Sequence, residues 1–367
     1  MQTEGRFDPN SPVIKAYENE LAHQFVREGF MVAFPTCLPG MSTKITHDEC
    51  RITALDIDAD GQIYGGTSGR QAHLFVARFH DLTGVVLDAG AVPESTSSVA
   101  VCCGTSRAIA FVNGGRGGRA IAFPKIDLAQ DWIQEWGLAP PALQDLGECI
   151  PNEPVVHAVC DPSRSTVIGI TAKHLFTVEV ESGKVTVIGE VTGRGQLGMS
   201  SSGVFGQDDG AWLWHFDLAS GKIRRAAVNL PEGEWNAGLR WAHGGDAGQL
   251  LTADDGGRLF SFDEKQGFRL LGRAHLVPVG PMAMIPDGRL FGFCGTEMAN
   301  LFCCDTVSGR VSNLGVAASV FEQRRYGYQF GDAVVGPQGE VVFGEDDNDG
   351  HLWLYFPKIK PITRRTF

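Results

Sequence analysis

Between residues 51 and 90 the chain alternates apolar and polar positions in short bursts separated by Gly- and Asp-rich turns. "RITALDIDADG" alternates and then ends in a D-x-D-G turn; "QIYGGTSG" is a second burst running into a Gly-rich turn. "HLFVARF" is a third, and after "DLTG" comes "VVLDAG", a fourth. A period of two predicts strands. Four such strands joined by tight turns predict an antiparallel meander.

The meander returns. "DGQIYGGTSGRQAHLF" (60–75) reappears as "DGRLFGFCGTEMANLF" (287–302), and similar segments fit at 155–191, 197–228, 239–272 and 280–315. A looser copy starts at "SVAVCC" and carries a long insertion, while the last, "GDAVVGPQGEVVFGEDDNDGHLWLYFP", stops after three strands. A period of about 40 residues is the length of a propeller blade. The count is seven if "MVAFP" (31–35) supplies the missing strand, which would also leave no open edge. The expected fold is therefore all-β: a seven-bladed β-propeller of four-stranded antiparallel blades spanning 31–367. Residues 1–30 form a separate extension in which "SPVIKAYENELAHQFVREGF" predicts a short N-terminal helix, with Ser11 as N-cap and Pro12 at the first position. The insertion "LAQDWIQEWGLAPPAL" predicts a second short helix on the rim.

Composition narrows the function. The chain has 367 residues and 47 Gly with no collagen-like period, so the glycines belong to turns. A net charge of -12 argues against nucleic-acid binding, which needs a basic surface. It leaves room for an anionic ligand held by a local Arg cluster. No run is long enough to span a membrane, and the N-terminus has no apolar signal region, so the expectation is a cytoplasmic protein without membrane contact. The nine Cys include the adjacent pairs Cys102–Cys103 and Cys303–Cys304 and no CxxC. They predict buried reduced thiols rather than zinc or disulfides. "GEDDNDGH" has carboxylates at calcium-loop positions one, three and five from Glu345 but Phe356 at position twelve, so it reads as a hairpin. "NGGRGGR" joins no strand to a helix and also reads as a hairpin. No metal and no cofactor is expected, and the sequence sets no oligomeric state.

In a propeller the loop leading into the first strand and the loop between strands two and three share one face, around the channel mouth. The leading loops supply His157, Gln196, Asn236, Arg240, Trp241, His275, Arg324, Arg325, Tyr326, Tyr328 and Asp332. The densest stretch is "EQRRYGYQFGD": Arg matches a carboxylate, and Tyr can move a proton. The expected catalytic group is His157, Tyr328, Tyr326 and Arg325; the expected substrate-binding group is Arg324, Arg240, Trp241, Asn236, Gln196, His275 and Asp332. His73, His174 and His351 precede apolar pairs in equivalent third strands, which makes them a blade-packing position. The turns of the opposite face, "DADG", "DPSR" and "IPDG", read as structural.

The blade pattern DG-(apolar)-x-G-x-T…HLF…G-x-V…LG resembles bacterial seven-bladed propellers of uncharacterised function and the propellers of carbohydrate-active enzymes, including ulvan-lyase-type polysaccharide lyases. That resemblance implies a lyase: Arg324 or Arg325 neutralises a uronate carboxylate, His157 takes a proton, and Tyr326 or Tyr328 gives one to the leaving oxygen. The expected function is β-elimination on a small acidic carbohydrate or another anionic ligand. The alternative is a non-catalytic propeller serving as a ligand-binding or protein-assembly scaffold.

Overall fold

The structure is a computed structural model and describes residues 29–35, 45–80, 83–115, 117–125, 142–244, 249–319, 326–347 and 350–357. Seven sheets follow one another along the chain, and successive strands within each are hydrogen-bonded neighbours. This is the all-β seven-bladed propeller that the repeats predict. Blade seven is completed from the far end of the chain: Phe30–Pro35 pairs antiparallel with His351–Phe356, in register from Phe30↔Phe356 to Pro35↔His351. Both predicted helices fall outside the described residues.

The repeated motif has a packing cause. In four blades a glycine of strand two lies directly across from an aromatic residue of strand three: Gly65↔Phe75, Gly169↔Phe176, Gly206↔Trp214 and Gly292↔Phe302. A Cβ at any of these glycines would run into the ring opposite. The ring therefore lies flat over the glycine, and the spacing from glycine to aromatic recurs because the pair is one packing unit. Seven apolar clusters result, each built mainly from two adjacent blades; Ile52, Leu55 and Phe75 of blade one, for example, meet Val342 and Leu352 of blade seven.

Blade five departs from the pattern. Among the described residues, its innermost segment pairs with its own second strand around Trp241↔Thr252 and through Ala242 N to Leu251 O. It then crosses to blade six, where His243–Gly244 lies parallel to Val279–Met284. The innermost strands of blades five and six thus share one ladder beside the channel.

The blade-packing histidines meet carboxylates. His73 Nδ1 lies 3.2 Å from Asp88 and its Nε2 3.1 Å from Glu49; His174 Nδ1 lies 3.0 Å from Glu153, and His351 Nδ1 2.9 Å from Glu345. All eight described cysteines are free thiols, six of them buried. Burial pushes the Cys149 thiol up to about 12, and Cys294 and Cys304 up to about 11. "NGGRGGR" is a hairpin, with Gly114 paired to Gly117.

Candidate functional site

An innermost strand has one edge that faces the channel and no neighbour within its own blade. The N–H groups on that edge need other acceptors. Side chains of the preceding blade supply several of them. Asp332 Oδ2 accepts Leu55 N at 2.8 Å, Asp56 Oδ2 accepts Cys103 N at 2.6 Å, and Asn113 Oδ1 accepts Val155 N at 2.9 Å. His157 Nδ1 accepts Leu197 N at 3.2 Å, and Gln196 Oε1 accepts Trp241 N at 2.9 Å. His243 Nδ1 accepts Val335 N at 3.1 Å, reaching from blade five to blade seven. These contacts stitch the blades together and place polar side chains around the axis.

The result is a channel cavity of about 470 Å³ whose wall includes Asp56, His157, Arg164, Gln196, Trp241, His243 and Asp332. At the mouth over blades five to seven lies a second cavity, of about 370 Å³, lined by Arg240, Asp254, Asp255, Thr296, Gln329, Phe330 and Asp346 among others. Its walls combine leading loops with loops between strands two and three, as propeller geometry requires. The three aspartates there are engaged: Asp254 with Arg258 at 2.7 Å, Asp346 with Arg51 at 2.9 Å, and Asp255 with the N–H of Asn236 at 2.6 Å.

Arg240 stands between the two cavities. It lines the mouth, and its charge acts on both His157 and Asp332 in the channel. It is half-buried, and among the described residues it forms no ion pair and one side-chain hydrogen bond, from Nη1 to Gly331 O at 3.1 Å.

Its neighbours are electrostatically displaced. Burial, with the nearby Arg240 charge, pulls His157 down to about 4, so the imidazole is neutral at physiological pH. Because Nδ1 accepts the Leu197 N–H, the proton sits on Nε2, which has no partner among the described residues. Burial pushes Asp332 up to about 6, against the opposing pull of the Leu55 and Ala333 N–H groups, Arg240 and His243. Asp56 behaves oppositely. Burial again opposes its ionisation, but the His243 hydrogen bond, the Arg164 and His243 charges and the Cys103 N–H outweigh it and hold the carboxyl below its ordinary value.

The structure therefore brings His157, Gln196, Trp241 and Asp332 together around one cavity, with Arg240 beside them. Gln196 and Trp241 are mutually tied, since Trp241 Nε1 also donates to Gln196 O at 3.2 Å. Other candidates lie apart. Tyr328 is 46% exposed on the rim, where its carbonyl accepts Ala299 N, and it does not line the channel cavity. Tyr326 bridges to Ala318. The main-chain N–H of Asn236 is held by Asp255, and His275 is exposed beside the Cys294 thiol at 3.7 Å. Arg324 and Arg325 fall outside the described residues. Three channel residues were not among the candidates: Asp56, His243 and Arg164. Arg164 belongs to the "DPSR" turn and is more than a turn residue, because it reaches Cys103 O at 2.8 Å and Asp56 at 3.5 Å. The available signal was an ionisable residue late in a mostly apolar first strand, Asp56 in "TALDI" and His243 in "RWAHGG".

No protein-family model matches the chain, and no curated protein matches it. The fold is shared with 1348 chains of known structure. One is a structural-genomics protein of unknown function from Bacteroides thetaiotaomicron VPI-5482. It aligns with TM-score 0.50 and 10% identity over 85% of this chain and 70% of its own length. That likeness supports the propeller ring and carries no activity. Among the described residues no group of three or more His, Cys, Asp or Glu side chains is placed to hold a metal ion, and no helix is long and apolar enough to cross a membrane.

Proposed function

We propose that this propeller binds a small acidic molecule where its mouth meets its channel, with Arg240 as the anchor. The observation that carries the reading is the state of that guanidinium: half-buried, lining the mouth cavity, and in no ion pair among the described residues, with Asp332 the carboxylate on which its charge acts. A charge partly withdrawn from water and left unpaired is costly. An incoming carboxylate or phosphate offers the fork of acceptors that Arg matches. The Nε2–H of His157 adds a neutral donor in the adjoining cavity. Both cavities fall within the size range of small-molecule sites.

The test uses D-glucuronate and D-glucose, which differ in the carboxylate. Glucuronate is expected to raise the melting temperature and glucose to leave it unchanged. Arg240→Gln should abolish the shift, and added salt should weaken it. Equal responses to the two sugars, or an unaltered response in Arg240→Gln, would refute the assignment.

A second reading, β-elimination by a lyase, is favoured by one observation: Asp332, pushed up to about 6, is a proton acceptor tuned near neutrality close to a cation. In this reading Asp332 removes the proton next to the ligand carboxylate, Arg240 stabilises the enolate-like charge, the C–O bond breaks as the new C=C bond forms, and water protonates the leaving oxygen. His157 then serves as a hydrogen-bond donor rather than the base, because its Nδ1 already accepts the Leu197 N–H. Ultraviolet absorbance from a conjugated unsaturated product, lost in Asp332→Asn, is the signature to measure. Its absence with every uronate tried would leave the binding reading alone.

A further inference from the structure

Arg240 donates its side-chain hydrogen bond to Gly331 O, the carbonyl immediately before Asp332. Asp332 in turn lines the channel cavity beside His157 and His243. A guest acid drawn to Arg240 would therefore bring a second negative charge next to a resident carboxylate, with one guanidinium between them. We propose that the site takes up its acidic ligand together with one proton, and that Asp332 is the group that receives it. This rests on the reading of Arg240 as the anchor.

The charged and titratable groups around Asp332 single it out. Blade five contributes Arg240 and His243, blade one contributes Asp56 through His243 at 3.7 Å, and blade three contributes His157. His157 is neutral and keeps its Nδ1 occupied by Leu197 N–H, so a proton there would break an interblade contact. Asp56 has Arg164 at 3.5 Å, His243 at 3.7 Å and the Cys103 N–H at 2.6 Å, and this cationic setting favours its charge. Asp332 has two main-chain N–H partners, Leu55 and Ala333. A neutral carboxyl retains acceptor capacity, so protonation leaves the blade contact able to persist. Its carboxyl already sits near neutrality, and a neighbouring anion moves it further in the same direction.

The experiment is calorimetric titration of D-glucuronate into the full chain near pH 7, in HEPES and in Tris, neither of which offers a carboxylate or phosphate to Arg240. The two buffers differ in ionisation heat, and the uronate stays ionised throughout. The difference in observed heat is expected to report uptake approaching one proton per ligand bound. Affinity should fall towards tenfold per pH unit above neutrality. In Asp332→Asn the uptake should vanish and the affinity become flat with pH. Binding that depends on Arg240 but takes up no proton overturns this inference and leaves the anchor intact. Uptake that persists in Asp332→Asn assigns the proton elsewhere and also overturns it. No binding of glucuronate at any pH removes the anchor reading and this one with it. Should Asp332→Asn fail to fold, the two-buffer measurement on the unaltered protein decides.

Discussion

Asn113 of blade two holds both main-chain polar groups of Val155 in blade three, accepting its N–H at 2.9 Å and donating to its carbonyl at 2.8 Å. It is a side-chain link between blades that engages both groups of a single residue, and it lies in neither of the two cavities. Asn113→Ala should leave both groups of Val155 without these partners, which costs about 1–3 kcal/mol. Urea denaturation is the measurement. A midpoint equal to that of the unaltered protein would mean that water replaces the contact without loss.

The glycine–aromatic pairs give a second expectation. Gly169→Ala puts a methyl group into the Phe176 ring, which has no room to retreat because it is fully buried. Overpacking of this kind costs about 1–3 kcal/mol. The double change Gly169→Ala with Phe176→Leu should recover part of that loss, since the flat ring is the source of the clash. Thermal melting of the three variants distinguishes a packing unit from a simple preference for glycine.

The histidine clasp in blade one makes stability depend on pH. His73 is buried between Asp88 and Glu49; burial opposes its charge, but the two carboxylates outweigh it and raise it above its ordinary value. A histidine raised in the folded state stabilises fully below its unfolded value, about 6.5. That contribution is lost as pH rises through the higher folded value. The unaltered protein should therefore lose stability relative to His73→Gln as pH climbs from about 6.5. At lower pH His73→Gln should be the weaker protein by about 1–3 kcal/mol, because Asp88 loses the imidazole and keeps the Gly90 N–H, whereas Glu49 retains Arg70 at 2.8 Å.

His157 works in the opposite sense. Its folded value, about 4, lies below the unfolded one, so the unfolded chain takes up a proton that the folded chain refuses. Stability from this group is complete above about 6.5 and is lost as pH falls towards about 4. Asp332, raised to about 6, adds stability over part of that range as pH falls, so the total curve is a compromise. The difference between the unaltered protein and His157→Gln isolates the histidine and should narrow on acidification. Nitrogen NMR should show a neutral ring protonated at Nε2 from pH 5 to 8; a titration inside that window would contradict the burial argument.

The thiols should be present but slow. Ellman's reagent is expected to find nine free cysteines in the denatured chain. In the native protein most of them should react slowly, since burial raises several and withholds the reactive thiolate.

The ring was legible because the blades repeat the same local instructions: an alternating strand, a turn and, in four of them, a glycine facing an aromatic residue. Its closure was legible because the last copy runs one strand short. The site was only half legible. His157, Gln196, Arg240, Trp241 and Asp332 stand at or near the start of first strands, where geometry brings them to the axis. Asp56 and His243 lie further along such strands, where sequence shows a polar residue without showing which neighbour it serves. Tyr328 precedes Asp332 by four residues yet stays on the rim, a difference set by the local path of the backbone and invisible to residue type. Arg164 was concealed by its turn, since length and charge alone do not show how far an arginine reaches.

The pairing of Phe30 with Phe356 also bears on the order in which the molecule is made. Synthesis runs from the N-terminus, so the strand Phe30–Pro35 emerges among the first and its partner among the last. Throughout that interval it is an apolar ribbon whose intended neighbour does not yet exist, and the six intervening blades can assemble around an unclosed gap. A second chain still in synthesis offers the same ribbon while its own partner strand is also missing. Exchange of this strand between two copies is therefore a misassembly open to the ring, and slowing translation would lengthen the exposure.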